Sequence, residues 1–93
     1  MTVEQAVQVV VGNTVAVLTD VPDKRGEWWE ALGQLQEQVQ AQGLGDLSTF
    51  LGLLRQLVEG TQTGHLEPHV PPDFRQAWEA VVRGISGHEE QHN

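Results

Sequence analysis

The residues of this 93-residue chain whose types and spacing best suit chemistry lie at its C-terminus. His88, Glu89 and His92 match H-E-x-x-H, a pattern that on a helix presents two imidazoles to zinc and a glutamate as general base. A catalytic zinc normally has three protein ligands, and only Asn93 follows the motif in this sequence. We therefore predict that residues 88–93 form a polar tail without catalytic or cofactor-binding residues. A metal-binding tail that uses His88 and His92 is the alternative.

A second pair of histidines, His65 and His69, is also separated by one helical turn. Pro68 lies between them and breaks the helical spacing that would bring the two imidazoles together, so we expect both to be solvated. The chain has no cysteine, its two serines (Ser48 and Ser86) have no base partner nearby in sequence, and no glycine-rich phosphate loop is present. These observations predict a protein that is not an enzyme and has no evident small-molecule substrate.

Composition narrows the classes of partner. Thirteen acidic residues against five lysines and arginines give a net charge of −8, which disfavours binding to nucleic acid and to anionic membrane surfaces. The sequence has neither a signal peptide nor an apolar run long enough for a membrane span. We expect a soluble, cytoplasmic protein with a single domain over residues 1–87.

The elements that must position these side chains are helices. Residues 27–43 carry an apolar stripe at helical spacing, and the first turn of this stripe is widened by Trp29. The stripe consists of Trp28, Leu32, Leu35 and Val39. Because two of the three tryptophans lie here, we expect the other helices to pack onto this one.

The full pattern predicts an all-α, antiparallel, four-helix bundle-like domain. Its helices cover about residues 3–19, 22–42, 46–59 and 72–86. The short link at Gly43–Gly45 makes the second and third helices an antiparallel hairpin, with Leu35 and Leu54 expected in the core. Residues 61–70 have no periodicity and are predicted to form a loop.

The first segment also admits a β-hairpin. Valine-rich runs flank Gly12-Asn13, a two-residue hairpin signal, over residues 3–18. Helix is favoured because Thr2 and Gln5 match a capping box and because one apolar stripe runs through both halves. A lone hairpin would also lack partner strands elsewhere in the chain.

The adjacent tryptophans have different expected roles. Neighbouring side chains on a helix differ in direction by about 100°, so Trp28 and Trp29 cannot be equally deep. We expect one indole in the core, Trp28, and one at the rim, Trp29. The further hypothesis is that Trp29 anchors a protein partner or a second copy of the chain, because tryptophan is enriched at interface positions that dominate binding energy. The competing interpretation is that the loop of residues 61–70 covers Trp29 with Leu66 or Val70.

Trp29, Leu32 and Gly33 form W-x2-L-G, and a helical hairpin follows. This motif resembles the opening of a tetratricopeptide repeat, although Gln36 stands where that family prefers tyrosine and no copy recurs 34 residues later. The surrounding region is also similar to short helical segments that accompany such repeats in large bacterial proteins. The resemblance implies a scaffold or docking role. The sequence as a whole predicts a non-enzymatic protein–protein interaction or scaffold module.

Overall fold

The computed structural model describes the backbone of residues 2–91 and the side chains of residues 2–86, and it is helical throughout, with no strand in that range. The α-helices are α1 (Val3–Thr19), α2 (Arg25–Ala41), α3 (Gly45–Glu59), α4 (Thr63–Leu66) and α5 (Arg75–Gln91). Short 3₁₀ turns cover Pro22–Lys24, Glu67–His69 and Pro72–Phe74. None of the helices in the described part of the chain has the length and apolar character that a membrane span needs. The predicted all-α fold is confirmed, and α4 is a short helix that the sequence did not predict.

The N-terminal segment is a helix, as predicted. Its capping box is formed at both positions, since the Gln5 N–H donates to Thr2 Oγ1 and the Thr2 N–H donates to Gln5 Oε1, each at 3.1 Å. The helix continues without a break through Gly12-Asn13 and buries Val10, Thr14 and Val17. The hairpin alternative for residues 3–18 is therefore wrong.

Most of the core comes from α3 and not from α2, which corrects the expectation that residues 27–43 form the centre. On α2 only Leu32 is buried, and Leu35 is half-buried at the edge of the core. The buried residues of α3 cover more than half of its 15 positions. They are Leu47, Ser48, Phe50, Leu51, Leu53, Leu54, Leu57 and Val58. Because each large apolar side chain contributes about 1.5–3 kcal/mol when fully buried, α3 supplies the largest share of the stabilisation.

The direction of α5 differs from the predicted antiparallel arrangement. Near the start of α3 the Phe50 ring stacks on Phe74, with centroids 5.2 Å apart. Near its end, Leu57 and Ile85 line one surface pocket. α5 therefore runs in the same direction as α3, whereas α2 is antiparallel to α3.

The connection between α3 and α5 must cross back along the bundle, and it is not the predicted loop. It contains α4 and a 3₁₀ turn, and it buries Leu66 and Val70 in the core. Pro68 lies at the start of the 3₁₀ turn, where a backbone N–H would have no hydrogen-bond acceptor within the turn. Its missing N–H therefore costs this turn no hydrogen bond. Short elements of this kind leave no periodic pattern in a sequence.

The last helix is longer than predicted, because α5 passes through Gly84 and reaches Gln91 instead of ending near residue 86. A Cβ atom placed on Gly84 would lie 2.8 Å from Val15 Cγ1. The glycine thus lets α1 approach α5 closely, and its role is packing and not helix termination.

Candidate docking surface around Trp29

The described histidine side chains, His65 and His69, lie on the connection between α3 and α5. His65 and His69 are both exposed, and no group of three potential metal ligands forms among the described residues. The backbone of His88 belongs to α5. The side chain of His88 and all of His92 lie outside the described residues, so a metal-binding tail stays a prediction.

Trp28 is half-buried and not the core indole that its stripe predicts. Its Nε1–H donates to Thr14 Oγ1 at 2.9 Å, and Thr14 in turn donates to the Val10 carbonyl at 2.7 Å. Thr14 is fully buried, so this chain of hydrogen bonds joins α2 to the buried face of α1. The fully enclosed indole of the protein is Trp78, on α5.

Trp29 is also half-buried, and the charged side chain of Arg55 lies over its ring. The Arg55 guanidinium lies over the indole, with Cζ 3.9 Å from the ring centroid. Such a cation–π contact contributes about 0.5–1 kcal/mol at an exposed site and more where water is excluded. We call this pair the Trp29–Arg55 stack.

Two glycines make room for the side chains that flank the stack. A Cβ atom on Gly33 of α2 would lie 3.0 Å from Arg55 Cζ, and one on Gly52 of α3 would lie 2.9 Å from Gln36 Nε2. Gln36 Oε1 accepts a hydrogen bond from Arg55 Nη1 at 3.4 Å. A glycine within a helix costs about 1 kcal/mol relative to alanine, so the stack is accommodated at some expense to α2.

The stack has unmet hydrogen-bonding capacity. Trp29 Nε1 and Arg55 Nε are both shielded from solvent and have no acceptor among the residues that the structure describes. Among the described side chains the single ion pair joins Lys24 and Glu27, at 3.7 Å, and Arg55 takes no part in it. Buried donors of this kind each cost about 1–3 kcal/mol. The third such donor among the described residues is Trp78 Nε1, which belongs to the buried core, whereas the two donors of the stack lie beside surface grooves.

Trp29 lies between two surface grooves. The larger, of about 510 Å³, is mostly polar and includes Glu30, Glu37 and Arg55 in its lining. The smaller, of about 240 Å³, has an almost entirely apolar lining that includes Gly26 and Val58. A partner side chain on either side of Trp29 would contact the indole, which is the arrangement expected of an interface anchor.

Arg55 is the residue that the sequence interpretation missed. It covers Trp29 in the structure, whereas Leu66 and Val70, the covers considered from sequence, belong to the core. The sequence did contain a signal for this pair. In an antiparallel helical hairpin, residues that are equally distant from the link face each other, and the link here is at Gly43. Positions 29 and 55 satisfy this relation approximately. The partner-binding role of Trp29 stays a prediction.

Comparisons of the chain with protein-family models, with curated proteins and with solved structures give no significant match.

Proposed function

We propose that the chain is a non-enzymatic helical protein–protein interaction or scaffold module that docks a partner at Trp29. In this proposal the four long helices form a bundle-like support, and the working location is the cytoplasm. The observation that carries the proposal is the Trp29–Arg55 stack, a half-buried aromatic–cation pair between two grooves with two donors unmet.

The chemistry of the stack favours a protein partner. Tryptophan and arginine are the side chains most enriched at interface positions that dominate binding energy. Arg55 is already held against the indole and by Gln36, so little side-chain entropy remains to be lost when a partner binds. The net charge of −8 disfavours nucleic acid as the partner.

The position of the stack supports the same conclusion. It spans α2 and α3, the antiparallel hairpin that includes W-x2-L-G, and the resemblance of that motif to tetratricopeptide repeats implies a docking role. Sites on paired helices hold their side chains more rigidly than sites on loops, which is an advantage for a docking surface.

Affinity capture with matched baits tests the proposal. Immobilised wild-type chain, Trp29→Ala and Val9→Ala are incubated with an extract of the source cells. Val9 is 51% exposed on α1 and serves as the control for loss of a surface apolar side chain. We expect a protein that is retained by the wild type and by Val9→Ala and lost with Trp29→Ala.

Two further measurements make the result decisive. Circular dichroism must show that Trp29→Ala keeps its helical content, so that loss of capture reflects the surface and not unfolding. Light scattering over a range of concentrations tests whether the retained partner is a second copy of the chain. Capture that is equal for all three baits would contradict the proposal.

A further inference from the structure

The two unmet donors of the Trp29–Arg55 stack belong to groups that are in contact. Trp29 Nε1 and Arg55 Nε both carry an N–H and cannot accept a hydrogen bond, and no atom of the described part of the chain serves either of them as an acceptor. Arg55 Cζ lies 3.9 Å from the centroid of the indole ring, so the two donors are close together. Both are shielded from solvent, and a group with two acceptor atoms that enters from the groove reaches them only when the Arg55 side chain turns and uncovers them.

The charge of Arg55 indicates the chemical nature of the group that would accept from both donors. Arg55 is a half-buried cation that donates a hydrogen bond to the neutral amide of Gln36. No described carboxylate forms an ion pair with it, although Glu30 and Glu37 line the same groove. A carboxylate offers two oxygens and a compensating charge, and it matches the planar guanidinium in geometry.

We propose that the Trp29–Arg55 stack is a receptor for a carboxylate of the partner protein, supplied by an aspartate or glutamate that has basic residues on both sides. This inference rests on the proposed function, since it specifies the partner chemistry for the same surface.

The basic residues of the partner are inferred from the two glutamates that line the groove, Glu30 and Glu37. Glu30 lies three residues before Gly33 and Glu37 four residues after it, so the two carboxylates stand about 10.5 Å apart along α2. Both are exposed, and water weakens their repulsion of an incoming carboxylate without removing it. A partner helix along α2 cancels this repulsion when it carries Lys or Arg three residues before its acidic residue and four residues after it.

The spacing excludes a simpler partner, a purely acidic segment. Such a segment would place like charges against Glu30 and Glu37, and like-charge pairs across an interface are destabilising. The alternation of charge along the groove is negative, positive, negative, and its complement is positive, negative, positive. The groove of about 510 Å³ has room for these side chains.

The test uses a blocked, helix-forming peptide that contains Lys-x2-Glu-x3-Lys and a matched peptide in which the glutamate is glutamine. Binding is followed by the indole N–H resonance of Trp29 in ¹⁵N-labelled protein, assigned with Trp29→Phe. We expect a saturable shift of this resonance with the glutamate peptide. The glutamine peptide should bind at least about tenfold more weakly, and added salt should weaken binding of the glutamate peptide.

Protein variants locate the charge. Arg55→Leu should weaken the glutamate peptide at least about tenfold, and Arg55→Lys should give an intermediate loss because it keeps the charge without the planar fork. Arg83→Leu is the matched control, because Arg83 is exposed on α5 and distant in sequence from the stack, and binding should be unchanged. Circular dichroism establishes that each variant is folded.

Several outcomes would overturn the inference. Equal binding of the two peptides would show that a neutral acceptor is sufficient. Binding unaffected by Arg55→Leu, or saturable shifts confined to other resonances, would place the site elsewhere. Failure of both peptides to bind at millimolar concentration would also reject the carboxylate. The proposed function is tested separately, because capture that depends on Trp29 would stand even if these peptides failed.

Discussion

Neighbouring indoles on α2 have opposite hydrogen-bonding states. The Trp28 N–H donates to a buried hydroxyl, Thr14, and closes α1 onto α2, whereas the Trp29 N–H is shielded without an acceptor beneath Arg55. The difference arises from helix geometry, because a rotation of about 100° turns the first ring to α1 and the second to α3. Trp28 thereby joins two helices of the fold, and Trp29 is the residue at which we propose that a partner docks.

Replacing Thr14 by valine tests the structural role of Trp28. Valine has nearly the same shape but no hydroxyl, so the Trp28 N–H loses its acceptor in a partly buried position. We expect the free energy of unfolding to fall by about 1–2 kcal/mol, measured by urea denaturation.

The control for this change is a double-mutant cycle with Trp28→Phe. Once the indole N–H is absent, Thr14→Val should lower stability much less, so the two changes should be coupled by about 1 kcal/mol. Additive effects would show that the hydrogen bond contributes little and that Thr14 acts through packing alone.

At the level of the helices, glycine has two distinct roles. Gly12 lies in the middle of α1 with no atom near its missing side chain, and the helix tolerates it. Gly84 lies in α5, where a Cβ atom would meet both methyl groups of Val15 at 2.8 and 2.9 Å. The same residue type therefore weakens one helix without compensation and permits close packing in another.

Alanine substitution should separate these two roles. Gly12→Ala is expected to raise stability by about 0.5–1 kcal/mol through helix propensity. Gly84→Ala gains the same propensity but forces a Cβ atom against Val15, whose β-branched side chain has little rotamer freedom, and overpacking costs about 1–3 kcal/mol. Thermal melts should thus show a higher Tm for Gly12→Ala and a lower Tm for Gly84→Ala.

Truncation of the Val15 side chain tests whether the clash with Val15 causes the expected loss of stability in Gly84→Ala. In a Val15→Ala background, Gly84→Ala should no longer be destabilising relative to that background. A higher Tm for Gly84→Ala in the wild-type background would contradict the close α1–α5 contact.

The same elements show what sequence could predict. Caps and apolar stripes predicted α1 despite its valines, because Thr2 and Gln5 satisfy the first turn and one face stays buried. The extent of α5 could not be predicted, since Gly84 is a residue that weakens a helix, whereas in the structure the helix continues and Gly84 packs closely against Val15 of α1. Arg55 was missed for a similar reason, because its role depends on the register between α2 and α3 and not on a motif.

In the whole molecule, α3 supplies the largest share of the core, α2 packs along α3, and α5 packs mainly along α1. Phe74, in the 3₁₀ turn just before α5, stacks on Phe50 of α3, and Leu66 and Val70 of the crossing connection join the same core. A domain of this size has about 5–10 kcal/mol of stability in total, so damage at the centre should affect every helix.

Leucine-to-alanine changes should therefore depend on burial more than on the apolar stripe. Leu54 on α3 is fully buried, and Leu35 on α2 is half-buried. Leu54→Ala should reduce the free energy of unfolding by about 2–5 kcal/mol, and Leu35→Ala should reduce it by clearly less. Chemical denaturation measures both, and a larger loss for Leu35→Ala would indicate that α2 and not α3 forms the centre of the core.

Unfolding should be a single cooperative transition, and the three tryptophans report it from different places. Trp28 and Trp29 lie on α2, which packs along α3, and Trp78 lies buried on α5, which packs mainly along α1, so their indole N–H resonances report on different helix pairs. Because both pairs share one core, the native intensity of all three resonances should be lost at the same urea concentration. The same midpoint should appear in far-ultraviolet dichroism. An earlier loss of the Trp78 resonance would show that α5 and its crossing connection separate first, leaving the α1–α3 unit folded, and α3 would then be the centre of that unit alone.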